Sequence, residues 1–221
     1  MPHSALDLGP VLKRLAARRP VFHSEADLQH ELAWQLRLDG AADQIRLEYR
    51  PDPAVRETAD LWLVSGTGQH HVIEVKHFVR TADLIVGREQ FVLTNQSAHD
   101  IRRYDVLRDL ARIERWTRAG LAHHGTVVVL TNDPGYWRPS SRSTNDRAFR
   151  IHNGRQITGR LAWAASAGPG SIAGRKDPIE LTGQYELHWQ DYATLPNGQH
   201  MRALLIVTAV RDENTTGTGR S

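Results

Sequence analysis

Residues Ala59–His77 read ADLWLVSGTGQHHVIEVKH. Two apolar runs flank a glycine-containing turn, Ser65–Gln69, the pattern of a β-hairpin. Side chains alternate along a strand, so Glu74 and Lys76 share one face while Ile73 and Val75 take the other. On the preceding strand Asp60 shares a face with Trp62 and Val64. If the strands pair, Asp60 and Glu74 converge. Two carboxylates held close repel unless a cation sits between them, and hard oxygen ligands with room for water and phosphate suit Mg²⁺ or Mn²⁺. Lys76 would then lie beside the metal, where it can hold or help deprotonate an attacking water or stabilise a pentacovalent phosphate. Taken alone, a Glu-x-Lys is most often an exposed ion pair. The apolar flanks and the upstream aspartate weigh against that here.

The elements on either side extend the pattern. HSEADLQHELAWQLRLDG reads as a helix with Ser24 as N-cap, Asp27 at N3 and Gly40 closing it. At about 100° per residue, Leu28, Leu32 and Leu36 fall within roughly 80° of one another, and Glu25 lies inside that stripe. Gln29 stands at its edge and Glu31 well off it. Glu25 therefore points toward the sheet; alone it would only complement the helix dipole in the first turn, and beside Asp60 and Glu-x-Lys it reads as a third acid. QIRLEYRP alternates as a half-buried strand. A loop containing TADLIVGREQF leads to the longest helix, about 95–119, and GTVVVLTND reads as a buried strand. The long helix carries a stripe of Tyr104, Leu107, Leu110 and Ala111, whose N-terminal extension is polar: Gln96, Asp100, Arg103. Those first turns are expected either to border a polar cavity or to make a set of satisfied core hydrogen bonds. Arg102, Asp105, Asp109 and Arg112 fill the opposite face and read as solvated. Further on, ITGRLAWAA reads as a helix or turn, IELTGQYELHWQDY and MRALLIVTAV as strands, and 211–221 as a disordered tail.

The chain has 221 residues, 40% of them hydrophobic and 24% charged, which suits one globular domain over 1–210. No run approaches the length of a membrane span and no signal peptide is recognisable, so a cytoplasmic protein is expected. The absence of cysteine excludes disulfides, thiol catalysis and cysteine-based metal sites. A formal charge of +3 permits nucleic-acid binding without demanding it. Lysine occurs only at Lys13, Lys76 and Lys176 among 28 basic residues, so a site that keeps lysine stands out. No P-loop, G-x-S-x-G or H-E-x-x-H motif is present. The pairs His70-His71 and His123-His124 read as non-ligands, because strand neighbours face opposite sides.

Glu25 on a helix, Asp60 on a strand, Glu74-Val75-Lys76 on the next, then a helix and a β-branched strand, together resemble the PD-(D/E)XK nuclease superfamily. The resemblance covers about residues 20–132. Its proline before the aspartate is Ala59 here, and about 133–210 matches nothing within it. It implies a restriction-endonuclease-like fold: an α/β (α+β) mixed sheet flanked by helices, here with additional C-terminal strands. It further implies that Asp60, Glu74 and the backbone carbonyl of Val75 ligate Mg²⁺ or Mn²⁺, and that Lys76 positions the nucleophilic water. Glu25 would support the metal directly or through water, and Gln96 would lie near the scissile phosphate. The implied activity is metal-dependent phosphodiester hydrolysis, in DNA more readily than RNA, serving bacterial restriction, repair or phage defence. A homodimer is compatible with duplex cleavage. The alternative is a non-catalytic nucleic-acid-binding module of the same fold, and a third reading makes Glu-x-Lys a surface pair on an unrelated scaffold. Arg103, and Trp137, Arg138 and Arg142 in the loop 136–142, are candidate nucleic-acid contacts, the arginines for phosphates and the aromatics for bases; the alternative for 136–142 is an ordinary surface loop.

Overall fold

A computed structural model of the chain describes residues 6–209; the tail expected to be disordered, 211–221, lies outside them. Helices α1 (Leu8–Arg18) and α2 (Glu25–Leu38) come first. Ser24 Oγ accepts from Asp27 N at 3.1 Å, the N-cap that the sequence announces. Gly40 ends α2 at φ 62°, a left-handed conformation that glycine adopts without steric cost. Strands β1 (Gln44–Tyr49), β2 (Ala59–Val64) and β3 (His70–Phe78) follow, then β4 (Ala82–Val86), β5 (Glu89–Leu93), α3 (His99–Arg118) and β6 (His124–Thr131). The remainder comprises α4 (Pro134–Trp137), a 3₁₀ turn (Arg147–Phe149), β7 (Gln156–Leu161), α5 (Pro169–Ile172), β8 (Ile179–Glu186), β9 (Trp189–Thr194) and β10 (His200–Ala209).

Six strands form one mixed sheet in the order β1-β2-β3-β6-β10-β9. β3 and β6 pair in parallel, which requires a crossover, and α3 supplies it. The other pairs of this sheet are antiparallel. Leu28, Leu32 and Leu36 of α2 join Ile73 and Val75 in the core on one face. On the other face Leu107, Leu110 and Ile113 of α3 join Val72, Val127 and Val129. The expected α/β (α+β) class, a mixed sheet flanked by helices with added C-terminal strands, is what the chain adopts.

α3 is covered on two sides, because the β7–β8 hairpin packs against it as well. Glu114 clasps them together: its carboxylate accepts from Thr182 N at 2.8 Å, Gly183 N at 2.7 Å and the Tyr185 hydroxyl at 2.6 Å. Against the sheet, α3 lies directly on Gly125 of β6. A Cβ there would overlap Ile113 Cγ2 and stand 2.9 Å from Val72 Cγ1. Gly125→Ala is therefore expected to destabilise by about 1–3 kcal/mol through overpacking, the reverse of the usual gain when glycine is replaced. A lower urea midpoint at unchanged slope checks it.

Several local expectations change. β1 is an edge strand and is mostly exposed, Leu47 and Tyr49 included, rather than half-buried. The segment read as a loop before α3 is the β4–β5 hairpin, turning at Gly87 (φ 63°) with Leu84, Phe91 and Leu93 buried. The segment read as a helix or turn is β7, held in strand form by pairing with β8. α3 begins at His99, not near residue 95, because Ala98 sits at φ 67° and interrupts the helical run.

The adjacent histidine pairs are structural in their contacts. His71 Nε2 lies 3.0 Å from Thr126 Oγ1, and His70 N donates to His123 Nδ1 at 3.1 Å. Burial pushes the His71 imidazole down to about 4, against about 6.5 in the unfolded chain. Protonation thus favours unfolding: the stability tied to neutral His71 is complete above about pH 6.5 and is lost as pH falls through about 4. The urea midpoint should fall over that window, and His71→Gln should make the fall shallower. An unchanged pH profile in the variant would assign the acid sensitivity to other groups.

Candidate functional site

Glu25, Asp60, Glu74, Lys76, Asp109 and Arg112, from α2, β2, β3 and α3, line one open cleft of about 430 Å³. The register of β2 and β3 ends with Leu61 opposite Ile73, one step from Asp60 and Glu74. Asp60 Oδ2 accepts from Val75 N at 2.7 Å, and its backbone carbonyl accepts from Gln29 Nε2 at 2.7 Å. Gln29, placed at the stripe edge by the helical wheel, also donates to Glu48 Oε1 at 3.0 Å. Glu48 sits at φ 49°, where the β1–β2 register skips the residue facing Asp60.

Glu25, at the first turn of α2, accepts from His77 N at 2.9 Å and so ties the helix N-terminus to β3. Lys76 is the hub. Its ammonium lies 2.9 Å from Asp109 Oδ2 and 3.9 Å from both Glu25 Oε1 and Asp60 Oδ2, and it donates to the Val75 carbonyl at 3.1 Å. Asp109 is 2% exposed and is shared with Arg112 at 3.1 Å. Arg112 Nη2 also stands 2.7 Å from Glu74 Oε1, with its guanidinium over the Trp116 ring. That contact is off hydrogen-bond alignment, so both oxygens of the fully buried Glu74 lack a hydrogen-bond donor.

The electrostatics follow from enclosure. Burial raises the pKa of Glu74; Arg112 opposes the shift, while Asp60 and Asp109 add to it. Burial likewise raises Asp60 and Glu25, against the pull of Lys76. Burial pushes Lys76 down, but Asp109, Glu25 and Asp60 together outweigh it, so its pKa ends above the usual lysine value. Lys76 in this arrangement is a fixed ammonium. In the metal-free protein it can donate hydrogen bonds and stabilise negative charge.

The structure brings Glu25, Asp60, Glu74 and Lys76 together, and burial of Glu74 and Lys76 excludes the surface-pair reading. Glu31 stays away, paired with Arg18 at 2.7 Å and Arg19 at 3.4 Å. Gln96 is not on the long helix: it precedes α3 in a loop, its N donates to the Val79 carbonyl, and it does not line the cleft. Asp100 and Arg103 turn elsewhere too. Asp100 accepts from Ser171, and Arg103 is spent on Asp146 at 2.6 Å and the Gly135 carbonyl at 2.7 Å, so it is not a free phosphate ligand. Trp137 is buried, packed near Trp189 and under Arg202, and Tyr136 is stacked on Phe78. Neither ring is displayed for a base. Arg138 and Arg142 are exposed.

Asp109 and Arg112 are the residues that sequence reasoning missed, having assigned them to solvent. Their spacing marks a polar stripe on α3, and a stripe lining a cleft has the same period as one facing water. Arg56 and Arg108 line the cleft as exposed cations.

The residues fit a divalent metal in chemistry. Asp60, Glu74 and the Val75 carbonyl are hard oxygen donors, and the buried Glu74 carboxylate, which has no aligned hydrogen-bond donor and is balanced by Arg112 at 2.7 Å, is the group that a metal ion would take over. Among the described residues, no three His, Asp or Glu side chains are grouped to hold a metal ion. No helix of the described residues is long and apolar enough to cross a membrane. No family model matches this chain, and no curated protein or solved structure does either.

Proposed function

We propose that the chain is a divalent-metal-dependent nuclease of restriction-endonuclease-like fold, acting on DNA. The observation that carries this reading is the convergence of Glu25, Asp60, Glu74 and Lys76 from separate elements into one polar cleft. The order of elements supports the fold: an antiparallel meander β1-β2-β3, then α3, then β6 parallel to β3. A bound Mg²⁺ or Mn²⁺ would neutralise the phosphate and acidify the attacking water. Asp60, Glu74 and the Val75 carbonyl would hold it. Lys76, kept cationic by Asp109, would donate to the attacking water or to the phosphoryl oxygens. Glu25 would fix β3 through His77 N and complete the acidic wall. Arg56 and Arg108, at the cleft, would meet flanking phosphates. Restriction, repair or phage defence is the setting that such an activity would serve.

The second reading is a nucleic-acid-binding module of this fold without catalysis. Arg112 against Glu74 favours it, because a guanidinium already occupies the carboxylate that a metal would need. Incubating the protein with plasmid, linear, single-stranded and branched DNA under Mg²⁺, Mn²⁺ or EDTA separates the two. Cleavage that requires the metal supports the nuclease; binding without cleavage under every condition supports the module.

Glu25 and Glu31 provide an internal control. They share one helix and one chemistry, yet Glu25 lines the cleft and Glu31 is tied to Arg18 and Arg19. Glu25→Gln is expected to slow cleavage about tenfold or more, or about 1.4 kcal/mol. Glu31→Gln should leave the rate nearly unchanged. Equal losses, or the reverse order, would remove Glu25 from the mechanism.

A further inference from the structure

Away from the Glu74 cleft, the 3₁₀ turn and the residues on either side of it line a second open cavity of about 600 Å³. Arg147, Arg150, His152 and Arg155 line it, Ala162 and Ala164 contribute to its wall, and no carboxylate does. Two of the guanidiniums are pinned by neutral acceptors. Arg150, 8% exposed, donates to the carbonyls of Ser140 and Arg142 and to Thr144 Oγ1. Arg155 donates to the carbonyls of Arg147, Arg150 and Ala148 at 2.9, 2.6 and 2.8 Å. Carbonyls fix orientation but leave the charge uncompensated. Asp146, the carboxylate of this turn, is taken by Arg103. The exposed Arg147 guanidinium has no ion-pair or hydrogen-bond partner among the described residues, and His152 Nδ1 is buried without one. Burial and the neighbouring Arg150 and Arg147 push Arg155 below its usual value. Like charges crowded this way are relieved by an anion.

We propose that this cavity is a nucleoside-phosphate site, in which the unpaired Arg147 takes the phosphate, the pinned Arg150 and Arg155 hold the positive field around it, and the alanine wall takes the sugar or base. The free fork of Arg147 matches phosphate oxygens. The volume is within the range of small-ligand sites and exceeds what a bare phosphate fills. The site stands whether or not the Glu74 cleft cleaves.

The test is a set of titrations in EDTA, where cleavage plays no part. The probes are thymidine monophosphate, thymidine, an oligothymidylate with and without a 5′-phosphate, and an oligoaspartate peptide. Arg147→Glu is the variant, since Arg147 supports no fold contact through its side chain. Arg160→Glu, an exposed arginine of β7 paired with Glu180, controls for net charge. A thermal melt confirms that both fold. The expected result is that phosphorylated probes bind, thymidine does not, and Arg147→Glu lowers affinity at least fivefold more than Arg160→Glu, reducing the salt slope for the oligonucleotide by about 1 or more. A gain from the 5′-phosphate assigns a strand terminus, equal binding of both oligonucleotides an internal phosphate, and binding of the mononucleotide alone a free nucleotide. Equal losses in the two variants, thymidine binding as well as its phosphate, or oligoaspartate binding as tightly, would overturn the proposal. Binding here without DNA cleavage under Mg²⁺ would retire the nuclease reading alone; cleavage with an inert cavity would retire this one alone.

Discussion

Glu74→Gln is expected to lower Mg²⁺-dependent cleavage by about 10²–10³-fold, the scale on which a transition-state charge contact is lost, with the fold retained. Glu74 is completely buried, and neither of its oxygens has an aligned hydrogen-bond donor. A buried carboxylate needs a facing cation; Arg112 at 2.7 Å is that cation in the metal-free protein, and a bound metal would take over the role. The amide has the same shape but no charge to hold a metal. Burial raises the Glu74 pKa, so the charged form strains the metal-free protein. Arg112, deprived of Glu74, still has Asp109 at 3.1 Å. The melting temperature of the metal-free variant should therefore match or exceed that of the parent. Asp60→Asn should show the same loss of cleavage, because the amide oxygen can still accept from Val75 N while the charge is gone. Single-turnover cleavage across a Mg²⁺ titration, with calorimetry of the apo-proteins, checks both. Parental rates at equal Mg²⁺ in either variant would remove that residue from the metal site.

Lys76 also resists replacement, even by another cation. Lys76→Arg is expected to cost at least tenfold in cleavage, about 1.4 kcal/mol of transition-state stabilisation, and Lys76→Ala more. The chain uses arginine almost everywhere, and a surface pair would accept it without loss. The Lys76 side chain is only 16% exposed and meets three carboxylates and a carbonyl through one compact ammonium. A planar guanidinium cannot present that geometry in the same space. Size and placement alone therefore set the arginine variant apart. Lys76→Ala also leaves buried Asp109 with Arg112 as its remaining cation, and breaking a buried pair costs up to about 3–5 kcal/mol. The alanine variant should thus melt lower, while the arginine variant keeps its fold and DNA binding. An arginine variant cleaving within about twofold of the parent would end the catalytic reading of Lys76.

The hairpin ADLWLVSGTGQHHVIEVKH was legible because its information is local. Alternation assigns faces, the glycine-containing turn sets the pairing, and the 14-residue step from Asp60 to Glu74 follows from both. Glu25 against Glu31 was legible for the same reason, since a helical wheel needs only spacing and an apolar stripe. The β4–β5 hairpin was local as well, with apolar residues alternating around Gly87, and the loop reading overlooked it.

Other features were decided by contacts distant in sequence. β7 is a strand because β8 supplies its hydrogen bonds. Gln96 and Arg103 were expected at a polar cavity near the site; the left-handed Ala98 leaves Gln96 off the helix, and Asp146, 43 residues along the chain, claims Arg103. Asp109 and Arg112 were assigned to water because period alone cannot tell a solvated face from one lining a cleft. What the sequence determined by itself was the sheet's central hairpin, its acids and its lysine, since those depend on alternation and turn chemistry. Which groups hold that lysine charged and stand against Glu74 was decided by tertiary structure: packing α3 between the sheet and the β7–β8 hairpin turns Asp109 and Arg112 into the cleft and leaves Arg108, Arg115 and Arg118 to solvent.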